Sequence, residues 1–369
     1  MSTLEIPKKQ KAAVYDNPGT VSTKVVIIDV PEPGDGEVLI RLTHSGVCHS
    51  DLSVMTNSWT TLPHPTQPGQ IGGHEGVGEV VKFGLNVAET CSLKIGDRVG
   101  IKWIANACMQ CPPCQESMDN LCFNQQISGY YTPGTFQQYV TSPAHYVTPI
   151  PDHLPSAEAA PLLCAGVTVY AALKRSKAQS GQWVLISGAG GGLGHLAVQI
   201  ASKEMGLRVI GIDHGSKEDI VKASGAEHFI DITKYPTDDK NHAAISAHVK
   251  SLTTDGLGVH ATVICTASNI AYAQGLLFLR FSGTMVCVGV PEREQRAIAS
   301  AFPAFLLGRH LHITGSNVGN QMDAIEMMKL ASHGKVKSKF ETIKLEGLTQ
   351  VFEEMNAGKL QGRVVIDLS

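Results

Sequence analysis

Residues 183–206 read WVLISGAGGGLGHLAVQIASKEMG, and this stretch decides the fold. WVLIS (183–187) is an apolar run of the length expected for a strand buried on both faces. It leads without a linker into Gly188-Ala-Gly-Gly-Gly-Leu-Gly194. The following HLAVQIASKEMG (195–206) sets Leu196, Val198, Ile200 and Ala201 along a helix and stops at a glycine suited to a C-cap. A strand, a glycine turn and a helix in that order aim main-chain N–H groups and a helix N-terminus at a pyrophosphate. The glycines fall at Gly188, Gly191 and Gly194, with Gly192 and Leu193 between them, so the spacing is G-x-x-G-x-x-G rather than the strict G-x-G-x-x-G. The next apolar run, LRVIGI (207–212), ends in Asp213. A carboxylate there would accept hydrogen bonds from an adenosine ribose and repel a 2′-phosphate, so the expected cofactor is NAD(H) rather than NADP(H).

Outward from the turn, ATVIC (261–265), TMVCVGV (284–290) and LHITG (311–315) are further apolar runs separated by helix-length stretches. That alternation predicts a doubly wound parallel sheet over 166–317, an α/β domain. The first 150 residues differ. KVVIIDV (24–30), EVLIRL (37–42), GEVVKF (78–83) and RVGIKW (98–103) are short β-branched runs broken by proline and glycine. The tail predicts a helix around 324–332 and a closing strand, RVVIDL (363–368). The expected division is therefore a β-rich domain of 1–165 and 318–369 around the α/β domain.

Composition limits the function. The 369 residues are 43% hydrophobic and 17% charged, with a net charge of −3. That balance describes a globular chain and removes the electrostatic case for a nucleic-acid binder. No run of eighteen apolar residues occurs, so no membrane span is expected. The opening MSTLEIPKKQ lacks the apolar core of a secretory signal, and a cytosolic setting is expected.

Nine cysteines in a reducing compartment should be thiols, metal ligands or reactive groups. Cys108, Cys111, Cys114 and Cys122 form C-x2-C-x2-C-x7-C, a spacing that suits one tetrahedral zinc. An iron–sulfur cluster and a redox disulfide pair are the rivals. The bacterial iron–sulfur run ends C-x3-C-P, a pattern absent here, and a redox pair leaves two thiols over. Cys48, Cys91, Cys164, Cys265 and Cys287 are dispersed, and spacing alone cannot unite them.

Eight stretches then carry a resemblance: CHSD (48–51), GGHEGVG (72–78), GDRVGIKW (96–103), the four-cysteine lobe, SGYYTPGTFQQY (128–139), LLCAGVTVY (162–170), the glycine turn and GRVVID (362–367). Together they resemble the zinc-dependent medium-chain alcohol dehydrogenases, nearest the fungal, yeast-type members, over nearly the whole chain. The resemblance implies a GroES-like catalytic domain beside a Rossmann NAD-binding domain. It also implies two zinc ions per chain and NAD(H)-linked interconversion of small alcohols with aldehydes or ketones.

Residue by residue, it implies that Cys48, His74 and Cys164 hold a catalytic zinc, which Glu75 can approach, and that Asp51 orients His74. The four-cysteine lobe would hold the structural zinc. His49 and Arg363 would meet the cofactor's pyrophosphate, Thr168 and Val290 the nicotinamide side, and Lys217 the adenosine ribose. Trp59, Trp103, Val290 and Thr56 match substrate-pocket positions. Ser50 keeps the family's first proton-relay hydroxyl, whereas Thr56 stands where members commonly carry a histidine. No arginine lies in the pocket motifs, so a carboxylate substrate is not expected. A homotetramer is the family-based expectation for assembly. The alternatives are a reductase of a larger biosynthetic aldehyde or ketone, a zinc-free quinone or enoyl reductase, and a non-catalytic scaffold that binds zinc and NAD.

Overall fold

The computed structural model describes residues 5–60, 62–236, 242–292, 294–360 and 362–369. The chain divides into two compact units: Met1–Cys164 with Asn320–Ser332 and Ser338–Ser369, and Ala165–Gly319 with His333–Lys337. The tail expected to lie wholly in the first unit thus returns to the second for five residues. The main chain of Lys337 explains the detour, because its N–H and carbonyl both bond the side-chain amide of Gln199, at 3.0 and 2.9 Å. Among the described residues no single helix is long and apolar enough to cross a membrane.

In the second unit, six parallel strands lie in the order His228–Asp231, Arg208–Asp213, Trp183–Ser187, Val259–Ile264, Leu279–Cys287 and His312–Gly315. Counted along the unit this is 3-2-1-4-5-6, the doubly wound order whose switch point lies beside the first strand. All five residues of Trp183–Ser187 are buried, as a strand covered by helices on both faces requires. Each such aliphatic side chain contributes about 1.5–3 kcal/mol on burial. Gly188 turns the chain with φ +76°, and a Cβ on Gly194 would stand 2.0 Å from the Gly188 carbonyl oxygen. Only glycine lets the helix start that close to the strand.

The helix expected over 195–206 is regular only for Gly194–Gln199, then widens to a π-turn at Ile200–Glu204. There Met205 N–H bonds Ile200 O at 3.0 Å. Gly206, at φ +64°, ends it.

The first unit is built on the long strand Glu37–Val47, which has three neighbours. Gly76–Phe83 pairs along one edge, while Tyr139–Pro143 and Arg363–Asp367 share the other. Phe340–Lys344, Arg98–Ile101 and Thr148–Pro149 extend the sheet to seven strands. Lys9–Tyr15 and Thr23–Asp29 form a separate antiparallel pair.

The strand expected over 98–103 stops at Ile101. Lys102 leaves the ladder because its buried ammonium donates to Tyr146 O at 2.8 Å and to Gln321 Oε1. A second short strand, Ile104–Asn106, pairs with Gln126–Ile127, and the four-cysteine lobe is the loop that joins them.

Candidate active site

Cys48 ends the strand Glu37–Val47 and caps the helix His49–Met55 from an extended conformation. Asp51, in that helix's first turn, accepts a hydrogen bond from Cys48 N–H at 2.9 Å. The other carboxylate oxygen of Asp51 lies 2.8 Å from His74 Nδ1. One buried acid, Asp51, therefore caps the helix and bonds the imidazole. With Nδ1 donating to the carboxylate, Nε2 presents a lone pair. That nitrogen is buried and has no hydrogen-bond partner.

The orphan is explained by its surroundings. Cys48 Sγ, His74, Glu75 and Cys164 Sγ, all buried, bring their ligand atoms within 4.8 Å of one another. Cys48 and Cys164, 116 positions apart, stand 3.8 Å from each other sulfur to sulfur. Two thiolates on one zinc at about 2.3 Å each, in tetrahedral geometry, would be separated by about 3.8 Å. The donor set and its spacing fit zinc. The Cys48 thiol is held well below its ordinary range by a hydrogen bond from Cys164 and, beyond burial's opposing effect, by the Arg363 guanidinium.

Glu75 follows His74 and is wholly buried. Burial pushes its carboxyl up to about 7, and Arg363 beside it pulls the other way. Arg363 donates from Nη2 to Glu75 Oε1, leaving Glu75 Oε2 and Arg363 Nε without partners. Arg363, expected at a cofactor phosphate, pairs within the first unit with Glu75 and keeps its Nε free of that bond. Ser50 Oγ lies 3.6 Å from Cys48 Sγ, and His49 is exposed at the helix start. Thr56 ends the same helix, its hydroxyl donating to Leu52 O at 2.8 Å. Trp103 stacks edge-on against the His74 ring at 4.8 Å between centroids, and Trp59 against Trp103 at 5.9 Å.

The lobe forms a second cluster. Cys108, Cys111, Cys114 and Cys122 also lie within 4.8 Å of one another. Adjacent sulfurs are 3.5–3.8 Å apart. Such edges suit one metal ion, whereas an iron–sulfur cluster would hold its thiolates apart around several irons. The four sulfurs form one compact set rather than a pair with two thiols left over, which favours a shared metal over a redox disulfide. Main-chain N–H bonding, first from Gln110, pulls the Cys108 thiol down to about 6.

In the second unit, Asp213 ends its strand and accepts from Gly190 N–H and His214 N–H, each at 2.8 Å, with Lys217 Nζ at 3.5 Å. The acid expected to meet the adenosine ribose is thus tied to the glycine turn. Thr168 is buried in the helix Ala165–Ser176 and Val290 is exposed.

Two family models match the chain: the alcohol dehydrogenase GroES-like domain over residues 34–152 and the zinc-binding dehydrogenase over 192–333. Alcohol dehydrogenase 2 of Emericella nidulans is 73% identical over the full length of both proteins. An alcohol dehydrogenase of Schizosaccharomyces pombe is 42% identical across 99% of this chain and 100% of its own length. Among solved structures, the alcohol dehydrogenase of Aeropyrum pernix superposes with a TM-score of 0.82 at 28% identity, over 97% of this chain and 99% of that one. The acetophenone reductase of Geotrichum candidum, solved with NAD, gives 0.81 at 27% identity over 98% of each chain. With the donor set, the doubly wound sheet and the full-length relatives in agreement, the chain belongs to the zinc-binding alcohol dehydrogenases, oxidoreductases of alcohols and their carbonyl counterparts.

Proposed function

We propose that this chain oxidises small alcohols, and reduces the matching aldehydes or ketones, with NAD(H) and two zinc ions. Cys48, His74 and Cys164 hold the catalytic ion within reach of Glu75, and the four-cysteine lobe holds the structural one. The observation that carries the reading is the buried, unpartnered His74 Nε2 beside two thiols at tetrahedral spacing. Bound zinc would supply Lewis acidity toward the substrate oxygen, while NAD+ would take up the hydride in oxidation and NADH would return it in reduction. The chain's own residues do the rest. Asp51 keeps the imidazole in one tautomer, Arg363 compensates Glu75, and Ser50 stands at the ligand shell as first acceptor of the alcohol proton. The Thr56 hydroxyl can pass a proton on but cannot keep one as a base, so oxidation should be slow until the medium is alkaline.

Asp213 favours a free 2′-hydroxyl, which supports NAD over NADP, with Lys217 near the same ribose. His49, Thr168 and Val290 are the remaining proposed cofactor neighbours. The aromatic pair Trp59 and Trp103 beside His74 favours a small substrate over the larger one of a biosynthetic reductase. A homotetramer in the cytosol completes the reading.

The test is turnover of alcohols and aldehydes of graded length with NAD and with NADP, alongside zinc analysis. Two zinc ions per chain and roughly hundredfold better efficiency with NAD are expected. Zinc and NAD binding without any turnover would favour the scaffold reading instead.

A further inference from the structure

The short antiparallel pair Ile104–Asn106 and Gln126–Ile127 carries more than the cysteine lobe. Trp103 immediately precedes its first strand, and Ser128 N–H, just past its second, donates to Trp103 O at 3.0 Å. Two residues further on, Tyr130 is 9% exposed. Its hydroxyl donates to His64 O at 2.5 Å and accepts from His64 N–H at 2.9 Å. Those are the two hydrogen bonds recorded for the His64 main chain among the described residues. One phenol oxygen thus satisfies both main-chain groups of a loop residue.

That loop is the one bearing Trp59. Its ends are pinned by Thr66, whose N–H bonds Asn57 Oδ1 at 2.8 Å and whose hydroxyl bonds Val54 O at 2.6 Å. Between the pins, Leu62 N–H bonds Trp59 O at 3.2 Å, which ties the tryptophan's main chain toward the His64 side of the bow. Trp59 then meets Trp103 at 77°, and Trp103 meets His74 at 82°. The chain of contact runs from Tyr130 to His64, along the loop to Trp59, and through Trp103 to the imidazole of the metal cluster.

We propose that Tyr130 is a specificity-determining positioning residue, a main-chain clamp on the loop that holds Trp59 against Trp103 and so sets the size of alcohol admitted; this rests on the functional reading above. The physical reason is selective. Removing the phenol oxygen leaves the N–H and carbonyl of His64, an exposed residue, to water, and the loop loses both bonds that tie it to Tyr130. Movement of the loop loosens Trp59 while Cys48, His74 and Cys164 stay fixed by Asp51 and the sheet. The reacting groups are untouched, and the wall beside them yields.

The test compares wild type, Tyr130→Phe, Trp59→Ala and His64→Ala with ethanol and 1-hexanol. Tyr130→Phe should raise the hexanol-to-ethanol ratio of kcat/KM by about three- to tenfold, within the range that pocket changes of a methylene or two produce. Trp59→Ala should move it further in the same direction. His64→Ala, which keeps the main-chain groups that Tyr130 binds, should leave it unchanged. Acrylamide quenching of tryptophan fluorescence gives a readout free of turnover. Trp183 and Trp103 are 4% and 9% exposed, so the quenchable signal is chiefly that of Trp59. Tyr130→Phe should increase quenching and His64→Ala should not. An unchanged substrate ratio and unchanged quenching in Tyr130→Phe, with Trp59→Ala shifting the ratio, would overturn the clamp. An equal effect from His64→Ala would overturn it too. Should the wild type oxidise neither alcohol, the functional reading falls, and quenching still decides whether Tyr130 holds the loop.

Discussion

The two metal-ligand clusters of the first unit are built in opposite ways. Four cysteines of the lobe come from one stretch of fifteen residues, are partly exposed at Cys108 and Cys111, and sit in a loop with little regular structure. The other cluster draws Cys48, His74, Glu75 and Cys164 from distant points, buries all four, and is backed by a helix cap, a long strand and the tail. In the lobe the metal must organise the chain. In the other the chain has already organised the ligands. On that contrast rests our proposal that the lobe's zinc serves folding and the buried zinc serves chemistry.

The sharpest way to break this contrast is Cys48→Ser. Turnover should fall by about a thousandfold or more, as loss of several kcal/mol of charge stabilisation implies. Circular dichroism and thermal stability should stay near wild type, with zinc content near one per chain. A folded variant of undiminished rate would refute the assignment. Next in size, Cys108→Ser should cost several kcal/mol of stability, because metal binding in such a loop is folding free energy. Soluble yield and melting temperature measure it, and a variant as stable as wild type would place the lobe's zinc outside folding.

Asp51→Asn probes the same contrast more gently. The buried cluster has a carboxylate behind its imidazole, and none of the hydrogen bonds recorded among the described residues joins a carboxylate to a lobe thiol. Losing that acid should weaken zinc affinity or activity about 10–100-fold. Zinc titration of the apoprotein and kcat measure this; values equal to wild type would show that the tautomer is fixed otherwise.

The smallest effect concerns the lobe's anchorage. Asp119 accepts from Tyr146 Oη at 2.5 Å and Gln321 N–H at 2.9 Å, and Lys102 donates to Gln321 and to Tyr146 O. Burial pushes the Lys102 amine down to about 7, with Asp119 opposing. A lowered folded-state value means that the unfolded chain binds more protons between about 7 and the ordinary lysine range. Lys102 thus contributes most stability above that range, and the contribution declines as pH falls to about 7. The slope is at most about 1.4 kcal/mol per pH unit. Denaturant unfolding at pH 7, 8 and 9 should rise less steeply with pH in Lys102→Met than in wild type. Parallel slopes would mean that Lys102 stays charged throughout.

The same local-versus-distant distinction governs what the sequence revealed. The glycine turn, Asp213 and the four-cysteine lobe are legible because each rests on neighbours within a few tens of residues. Cys48, His74 and Cys164 became legible only through resemblance, since no spacing rule spans 116 positions. Arg363 makes a contact that neither route supplied: its partner Glu75 lies 288 positions away, and the pair forms where the closing strand docks beside Glu37–Val47. The strand Lys9–Tyr15 escaped notice because lysines at 9 and 11 mask its buried residues, Gln10 and Ala12 through Tyr15. Tyr130 was quoted within a motif yet given no role, because a side chain that binds another segment's main chain leaves no mark in that segment's sequence.

The placement of Arg363–Asp367 between Phe340–Lys344 and Glu37–Val47 also sets an order in time. A ribosome delivers Glu37–Val47 early, yet the neighbour of its His44–Val47 end emerges only after the whole second unit has been made. Until then that edge stays unpaired and Glu75 waits without its counter-ion. Domains generally fold as units while the chain is being synthesised. Here the second unit, continuous but for His333–Lys337, can finish while the first is still open, so the half of the protein that is translated first is the half that matures last.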